Sequence, residues 1–358
     1  MENWMDYLKK ATEDKASDIF FVAGKPICAK LGGHIRPISE NSLKPADTQS
    51  IVEGIYALAK RTMDHLYEKH DDDFSFAVVG LARFRVNAYH QRGSMAAVVR
   101  VVSFNIPNWQ EIGIPEAVMD LSELTSGLIL VTGTAGSGKT TTQACIIDRI
   151  NRTRDCHIIT LEDPIEFLHS HKQSIISQRE VTIDTQDYIS ALRACVRQAP
   201  DVILLGEMRD SQTMHTAMSA AETGHLVIAT LHTKGAVNAI DRIIDSFPSN
   251  QQQQIRVQLS MVLKTVVFQQ LLPDTKGGEV PACEILHMTN AVRSMIRDNK
   301  NHQIDNAIAA GAKEGMISMD QAILALYKEG KVSEDVAMLY CDKPDQLKRQ
   351  MTGGNFRL

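Results

Sequence analysis

The chain has 358 residues, and 38 Lys and Arg against 43 Asp and Glu leave a formal charge of −5. That length suits two domains, and the balance excludes a strongly basic nucleic-acid-coating protein. Aromatic residues, at 5%, are too scarce for single-strand stacking platforms, so no nucleic-acid partner is expected.

The predicted elements begin with a short amphipathic helix, on which Trp4, Leu8 and Ala11 recur at helical spacing. An apolar run at 19–22 follows, and residues 51–66 read as a helix carrying Ile55, Leu58 and Ala59. Residues 74–78, 83–89 and 96–102 alternate or are β-branched and read as strands. The first 104 residues are therefore expected to form a small α+β domain on an antiparallel sheet. Pro107, Gly113 and Pro115 break the pattern, which places a linker at 105–115 and a second domain at 116–358. In that second part apolar runs at 128–131, 158–161, 202–205 and 226–231 alternate with helical stretches, the grammar of parallel strands with crossover helices. From 290 to 340 short helices are expected, separated at Gly311, Gly315 and Gly330.

Gly133-Thr134-Ala135-Gly136-Ser137-Gly138-Lys139-Thr140 matches the phosphate-loop pattern GxxxxGK[ST]. Glycines let the backbone curl so that successive N–H groups face phosphate oxygens, and the following helix adds the positive end of its dipole. Lys139 is placed to reach the β- and γ-phosphates of ATP, and the Thr140 hydroxyl to hold Mg²⁺. The context is the required one: a buried-strand run, Gly127 through Val131, precedes the loop, and a helix-compatible stretch from Thr141 follows it.

Ligands of an open parallel sheet sit outside the carboxyl ends of its strands. The run at 158–161 ends in Glu162-Asp163-Pro164-Ile165-Glu166, and the run at 202–205 ends in Gly206-Glu207-Met208-Arg209-Asp210. The run at 226–231 ends in His232-Thr233. One acid must orient and deprotonate the attacking water; Glu162 and Glu166 both qualify, and Glu207 is better placed for the metal. His225 and His232 bracket one strand, so roughly 23 Å separates them and one subunit cannot use both at the same phosphate.

Taken together these residues resemble the secretion-type ATPases, most closely the type IV pilus retraction (twitching motility) ATPases, and the resemblance covers nearly the whole chain. Ile159 through Phe167 is similar to the family's Asp box, Val202 through Asp210 to its Walker B segment, and Ala221 through Thr233 to its His box. Ala291 through Arg297 resembles a segment associated with retraction, although Ser294-Met295 departs from the usual Asn-Leu. The resemblance implies an α/β architecture, with a RecA-like P-loop domain behind a smaller α+β PAS-like domain. It also implies a homohexamer acting on an inner-membrane pilus platform protein. Among the two candidate bases it favours Glu166. The implied catalytic set is Glu166, Glu207, Glu162, His232, His225 and Arg209. Nucleotide binding would fall to Gly133, Thr134, Ala135, Gly136, Ser137, Gly138, Lys139, Thr140 and Thr141, and Mg²⁺ binding to Thr140 and Glu207. Arg85, Arg92 and Arg100, with Arg83 beside them, become phosphate-facing candidates, since a guanidinium stabilises charge on a transferring phosphoryl group. A secretion or conjugation motor of the same superfamily and a P-loop kinase are the alternatives.

Six scattered cysteines without a CxxC pair fit a reducing compartment. The N-terminus has no basic segment followed by an apolar core, and no apolar run reaches the roughly 18–20 residues of a span. The expected location is the cytoplasm, with peripheral attachment to the inner face of the membrane implied by the resemblance.

Overall fold

A computed structural model describes residues 3–78, 80–102 and 106–352. The junction expected at 104–105 lies outside them. The chain divides into two compact units, Met1–Asn105 with Glu166–Leu168, and Ile106–Ile165 with His169–Leu358.

The first unit carries helices α1 (Trp4–Glu13), α2 (Pro45–Ala59) and α3 (Asp64–Lys69) and strands β1 (Asp18–Phe21), β2 (Cys28–Leu31), β3 (His34–Pro37), β4 (Asp71–Val78), β5 (Ala82–Gln91) and β6 (Ser94–Val102). These strands form one antiparallel sheet in the order β3-β2-β1-β6-β5-β4. Alternation sends Phe84, Val86 and Ala88 into a core with Leu8, Ile51 and Ile55 of the helices, while Arg83, Arg85 and Asn87 take the other face. The helix expected at 51–66 is two helices. Pro45 starts α2 six residues earlier, and Lys60, left-handed at φ 51°, ends it. Strands β2 and β3 are too short, and β3 too exposed, to leave an apolar signature.

The second unit carries β7 (Gly127–Thr132), β8 (His157–Glu162), β9 (Ile175–Glu180), β10 (Val202–Leu205), β11 (Leu226–Leu231), β12 (Leu263–Pro273) and β13 (Glu279–His287). Their order is β13-β12-β7-β11-β10-β8-β9, parallel except for the β12–β13 hairpin, so the sheet is mixed rather than wholly parallel. Its helices are α4 (Glu116–Met119), α5 (Lys139–Thr153), α6 (Tyr188–Cys195), α7 (Ser211–Glu222), α8 (Ala236–Asp245), α9 (Ser249–Val262), α10 (Asn290–Arg297), α11 (Ile304–Ala310), α12 (Met319–Lys328), α13 (Glu334–Tyr340) and α14 (Pro344–Met351).

The central strands are apolar on both sides because both are covered. Leu128 and Leu130 of β7 pack with Met214, Ala217 and Ile243 from α7 and α8. Ile129 and Val131 pack with Ile146, Ile147 and Ile150 of α5. This double burial holds the strand ends at one level, and the phosphate loop joins β7 to α5 at that edge.

Candidate active site

The loop from Gly133 to Lys139 is shaped by glycines that nothing larger replaces freely. Gly136 and Gly138 stand at φ 79° and 81°, left-handed backbone that side chains resist. A methyl on Gly133 would lie 2.4 Å from the Gln269 carbonyl oxygen and 2.4 Å from Ser137 Oγ. Helix α5 starts at Lys139 with Gly138 as its cap residue. Lys139 is 7% exposed, and its ammonium donates to the carbonyls of Gly133 (2.9 Å) and Thr134 (2.8 Å), so the loop curls around its own lysine. Thr140 and Thr141 follow on the first turn of α5, whose backbone N–H groups and dipole favour an anion.

Glu207 is held from both sides. Gly206 N–H donates to Leu161 O of β8 (2.8 Å), Met208 N–H to Thr230 O of β11 (3.1 Å), and the Thr230 hydroxyl donates to Gly206 O. From β11 the chain runs directly into His232, and Gly133 N–H donates to Leu231 O (3.3 Å), tying the phosphate loop to the same strand end.

The result is a continuous polar chain. Lys139 Nζ lies 3.4 Å from His232 Nδ1, and His232 Nε2 lies 3.4 Å from Glu207 Oε1. Arg209 Nε donates to Glu207 Oε2 (2.7 Å), and Arg209 Nη1 lies 3.6 Å from Asp163 Oδ2. The Glu207 hydrogen bond holds the Arg209 guanidinium above its usual pKa. Four segments, each following a strand, thus meet through charged or ionisable groups. Between them they supply a cation for phosphate, an acid for metal or water, and an imidazole linking the two.

Other candidates lie apart from this chain. Glu162 is 6% exposed and accepts from Thr160 Oγ1 (2.6 Å) and Gln178 Nε2 (3.3 Å), bonds that tie it to β8 and β9. Glu166 falls in the three-residue segment grouped with the first unit. His225 stands at the amino end of β11, its Nδ1 3.0 Å from Ala220 O and 3.2 Å from Thr223 Oγ1, so an extended strand separates it from His232. In the first unit Arg85 and Arg100 are directly opposed across β5 and β6. Arg100 Nε donates to Asp18 Oδ1 (2.9 Å), and Arg85 Nη2 lies 3.9 Å from Asp73 Oδ1. Arg92 sits at the hairpin tip, where φ of 47° at Arg92 and 77° at Gly93 make the tight two-residue turn.

Asp163, read from the sequence only as one acid of a strand end, ends the polar chain. Sequence reasoning missed two residues. Tyr188, on α6, has its hydroxyl 3.0 Å from where a Gly206 methyl would stand, and burial raises its pKa above the ordinary phenol value. Gln269 reaches the phosphate loop from β12; the only signal was a pair of glutamines inside the apolar run from Val266 to Leu272.

The site fits a nucleotide on its own evidence. Its glycine cradle excludes a Cβ, and Ser137 Oγ and Thr233 Oγ1 are buried hydroxyls without a hydrogen-bond partner among the described residues. No group of three or more His, Cys, Asp or Glu among the described residues is arranged as a metal site. A nucleotide-borne Mg²⁺ does not need one, since it takes one or two protein oxygens and completes its shell with phosphate and water.

The family model described as type II/IV secretion system protein matches residues 2–316. The chain belongs to that family. It is 41% identical over 312 residues to the type IV pilus retraction ATPase PilT of Pseudomonas aeruginosa, covering 87% of this chain and 90% of PilT. The type IV pilus ATPase PilU of the same organism is 37% identical over 310 residues, covering 86% and 81%. Among solved structures, the pilus retraction motor PilT with bound ADP superposes with a TM-score of 0.90 at 43% identity, covering 98% of this chain and 100% of that one. Membership accounts for the α/β fold with an N-terminal domain and for the phosphate loop at the strand edge.

Proposed function

We propose that this chain is the ATP-hydrolysing subunit of a type IV pilus retraction motor. The single observation that carries the reading is the polar chain from Lys139 through His232 and Glu207 to Arg209, laid along the strand ends beside a phosphate loop. The near-full-length likeness to PilT supports the motor role.

In this reading the amides of the loop and of the first turn of α5 hold the β- and γ-phosphates, with Lys139 leaving the Gly133 and Thr134 carbonyls to meet them. Thr140 and Glu207 hold Mg²⁺, which neutralises charge on the phosphates when bound. His232 lies within reach of both Lys139 and Glu207 and so senses whether a γ-phosphate stands between them. Glu166 is assigned as the water-activating base, and Arg85, Arg92 and Arg100 as cations of a PAS-like domain over 1–104. His225 serves at the far edge of β11. No helix among the described residues is long and apolar enough to cross a membrane. The proposed assembly is a ring of six, seated on the inner face of the membrane against a pilus platform protein.

The test is ATP turnover by purified wild-type chain and by Lys139→Ala and Glu207→Ala, with native mass measured beside it. The expected result is a six-subunit particle whose turnover is lost in both variants while their circular dichroism is unchanged. Wild-type turnover in both variants would overturn the site, and a monomer in the presence of ATP would overturn the ring.

A further inference from the structure

Gln269 is 2% exposed and lies on β12, a strand that contributes no motif to the phosphate site. Alternation along β12 puts it on the same side as Val267, which packs in the core beneath α5. The pairing of Phe268 with Thr132 sets it level with the start of the loop. From there its amide makes two short bonds, and the Cys283 thiol of β13 adds a longer third to Oε1 (3.9 Å). Nε2 donates to the Ser137 carbonyl (2.7 Å), and Oε1 accepts from the Thr142 hydroxyl of α5 (2.7 Å). Both loop glycines with tight surroundings are tight against this residue: a Gly138 methyl would stand 2.8 Å from Gln269 Nε2, and a Gly133 methyl 2.4 Å from its carbonyl oxygen.

We propose that Gln269 is a positioning residue of the nucleotide site, fixing the orientation of the Ser137–Gly138 peptide so that the Gly138 N–H faces phosphate. The inference rests on the nucleotide-binding reading above and adds a residue to it.

The physics is that of a peptide plane with two settings. Gly138, at φ 81°, has no side chain to oppose a flip of the peptide before it. Turning that plane would bring the Ser137 carbonyl to the inner side and carry the Gly138 N–H away, exchanging a donor for an acceptor where phosphate oxygens sit. The Gln269 amide holds the carbonyl on the outer side. Which end of the amide faces Ser137 is settled in turn mainly by Thr142, whose hydroxyl donates to Oε1 at 2.7 Å against 3.9 Å for the weaker Cys283 thiol. Thr142 N–H donates to Gly138 O (3.0 Å), so the hydroxyl is itself anchored one turn into α5. A glutamate here would set a carboxylate against the Ser137 carbonyl and against phosphate; a leucine would leave the buried carbonyl without its donor.

The experiment measures binding of a fluorescent ADP to full-length wild type, Gln269→Leu, Thr142→Val, Thr142→Ser and the Gln269→Leu/Thr142→Val double variant, with melting temperatures taken without nucleotide. Gln269→Leu is expected to weaken ADP about 10- to 100-fold, because the buried Ser137 carbonyl and Thr142 hydroxyl both lose their partner. Thr142→Val is expected to weaken it in the same direction and Thr142→Ser, which keeps the hydroxyl, to restore it. The double variant should be no weaker than Gln269→Leu alone, because the two act through one contact. In turnover assays KM should rise more than kcat falls, a split that general loosening of the fold does not produce. Tight ADP binding by Gln269→Leu, or equal affinities for Thr142→Val and Thr142→Ser, would overturn the proposal while leaving the nucleotide site standing. Failure of the wild type to bind ADP would overturn the parent reading and this one with it. Should Gln269→Leu not fold, the Thr142 pair alone decides.

Discussion

The three constrained glycines of the phosphate loop give a ranked stability series. Gly136 stands at φ 79° with no atom within 4 Å of an added methyl, so Gly136→Ala carries only left-handed backbone strain, about 1 kcal/mol. Gly138→Ala carries the same strain and also presses on Gln269 Nε2 at 2.8 Å, displacing a buried hydrogen bond, for about 2–3 kcal/mol in all. Gly133→Ala meets a backbone oxygen and Ser137 Oγ at 2.4 Å each, and a main-chain atom inside a sheet cannot swing aside as a side chain can. Strain plus overpacking then reaches about 3–4 kcal/mol. Urea unfolding in a Trp4→Phe background isolates the second unit, because Trp109, the remaining tryptophan, is half-buried against its core. The midpoint shift at constant slope gives each cost. Equal losses for Gly136→Ala and Gly133→Ala would refute the reasoning, since they share a loop and differ in what the methyl meets.

Arg61 binds the 3%-exposed Asp72 through Nε (2.9 Å) and Nη2 (2.8 Å), with the Tyr56 hydroxyl at 2.8 Å. Arg61→Ala is expected to destabilise the first unit by about 3 kcal/mol by leaving that buried carboxylate only the Tyr56 hydroxyl and the His65 ring (3.3 Å), and an unmoved urea midpoint followed by Trp4 would contradict this. His169 is pushed down to about 4 by burial, so the unfolded chain binds its proton more readily. Its contribution is fully present above pH 6.5 and is lost as pH falls towards 4, about 3 kcal/mol in total. His169→Gln should flatten the melting-temperature profile in that window, and an unchanged slope would count against it. Burial pushes the thiols of Cys145 and Cys283 up to about 12 and that of Cys195 up to about 11. A thiol reagent should label the half-buried Cys28 and Cys156 of the folded chain before these three, and peptide mapping that found Cys283 modified before unfolding would refute the packing.

Much of the site was readable because its signals are local. The phosphate loop occupies eight consecutive positions, and each acidic or histidine segment begins where an apolar run stops. Glu207 and His232 could be singled out that way, each as the polar residue after a buried strand. Glu162 met the same criterion, yet its Oε1 accepts from Thr160 and Gln178, bonds that pattern alone does not reveal. The helix expected at 51–66 failed for the opposite reason: its apolar spacing continues past a left-handed Lys60 that periodicity does not register.

Residue order alone specified the strand–loop–helix unit, the double-sided burial of the central strands and the chemistry at their ends, because each depends on neighbours a few positions apart. Contact between those ends is another matter. Lys139 and His232 are 93 positions apart, Thr142 and Gln269 127, and Ser137 and Gln269 132. They meet because β11 lies on one side of β7 and β12 on the other, an order set by how seven strands share two covered faces. No local period encodes that arrangement, so the clamp on the phosphate loop became visible only once the sheet was assembled.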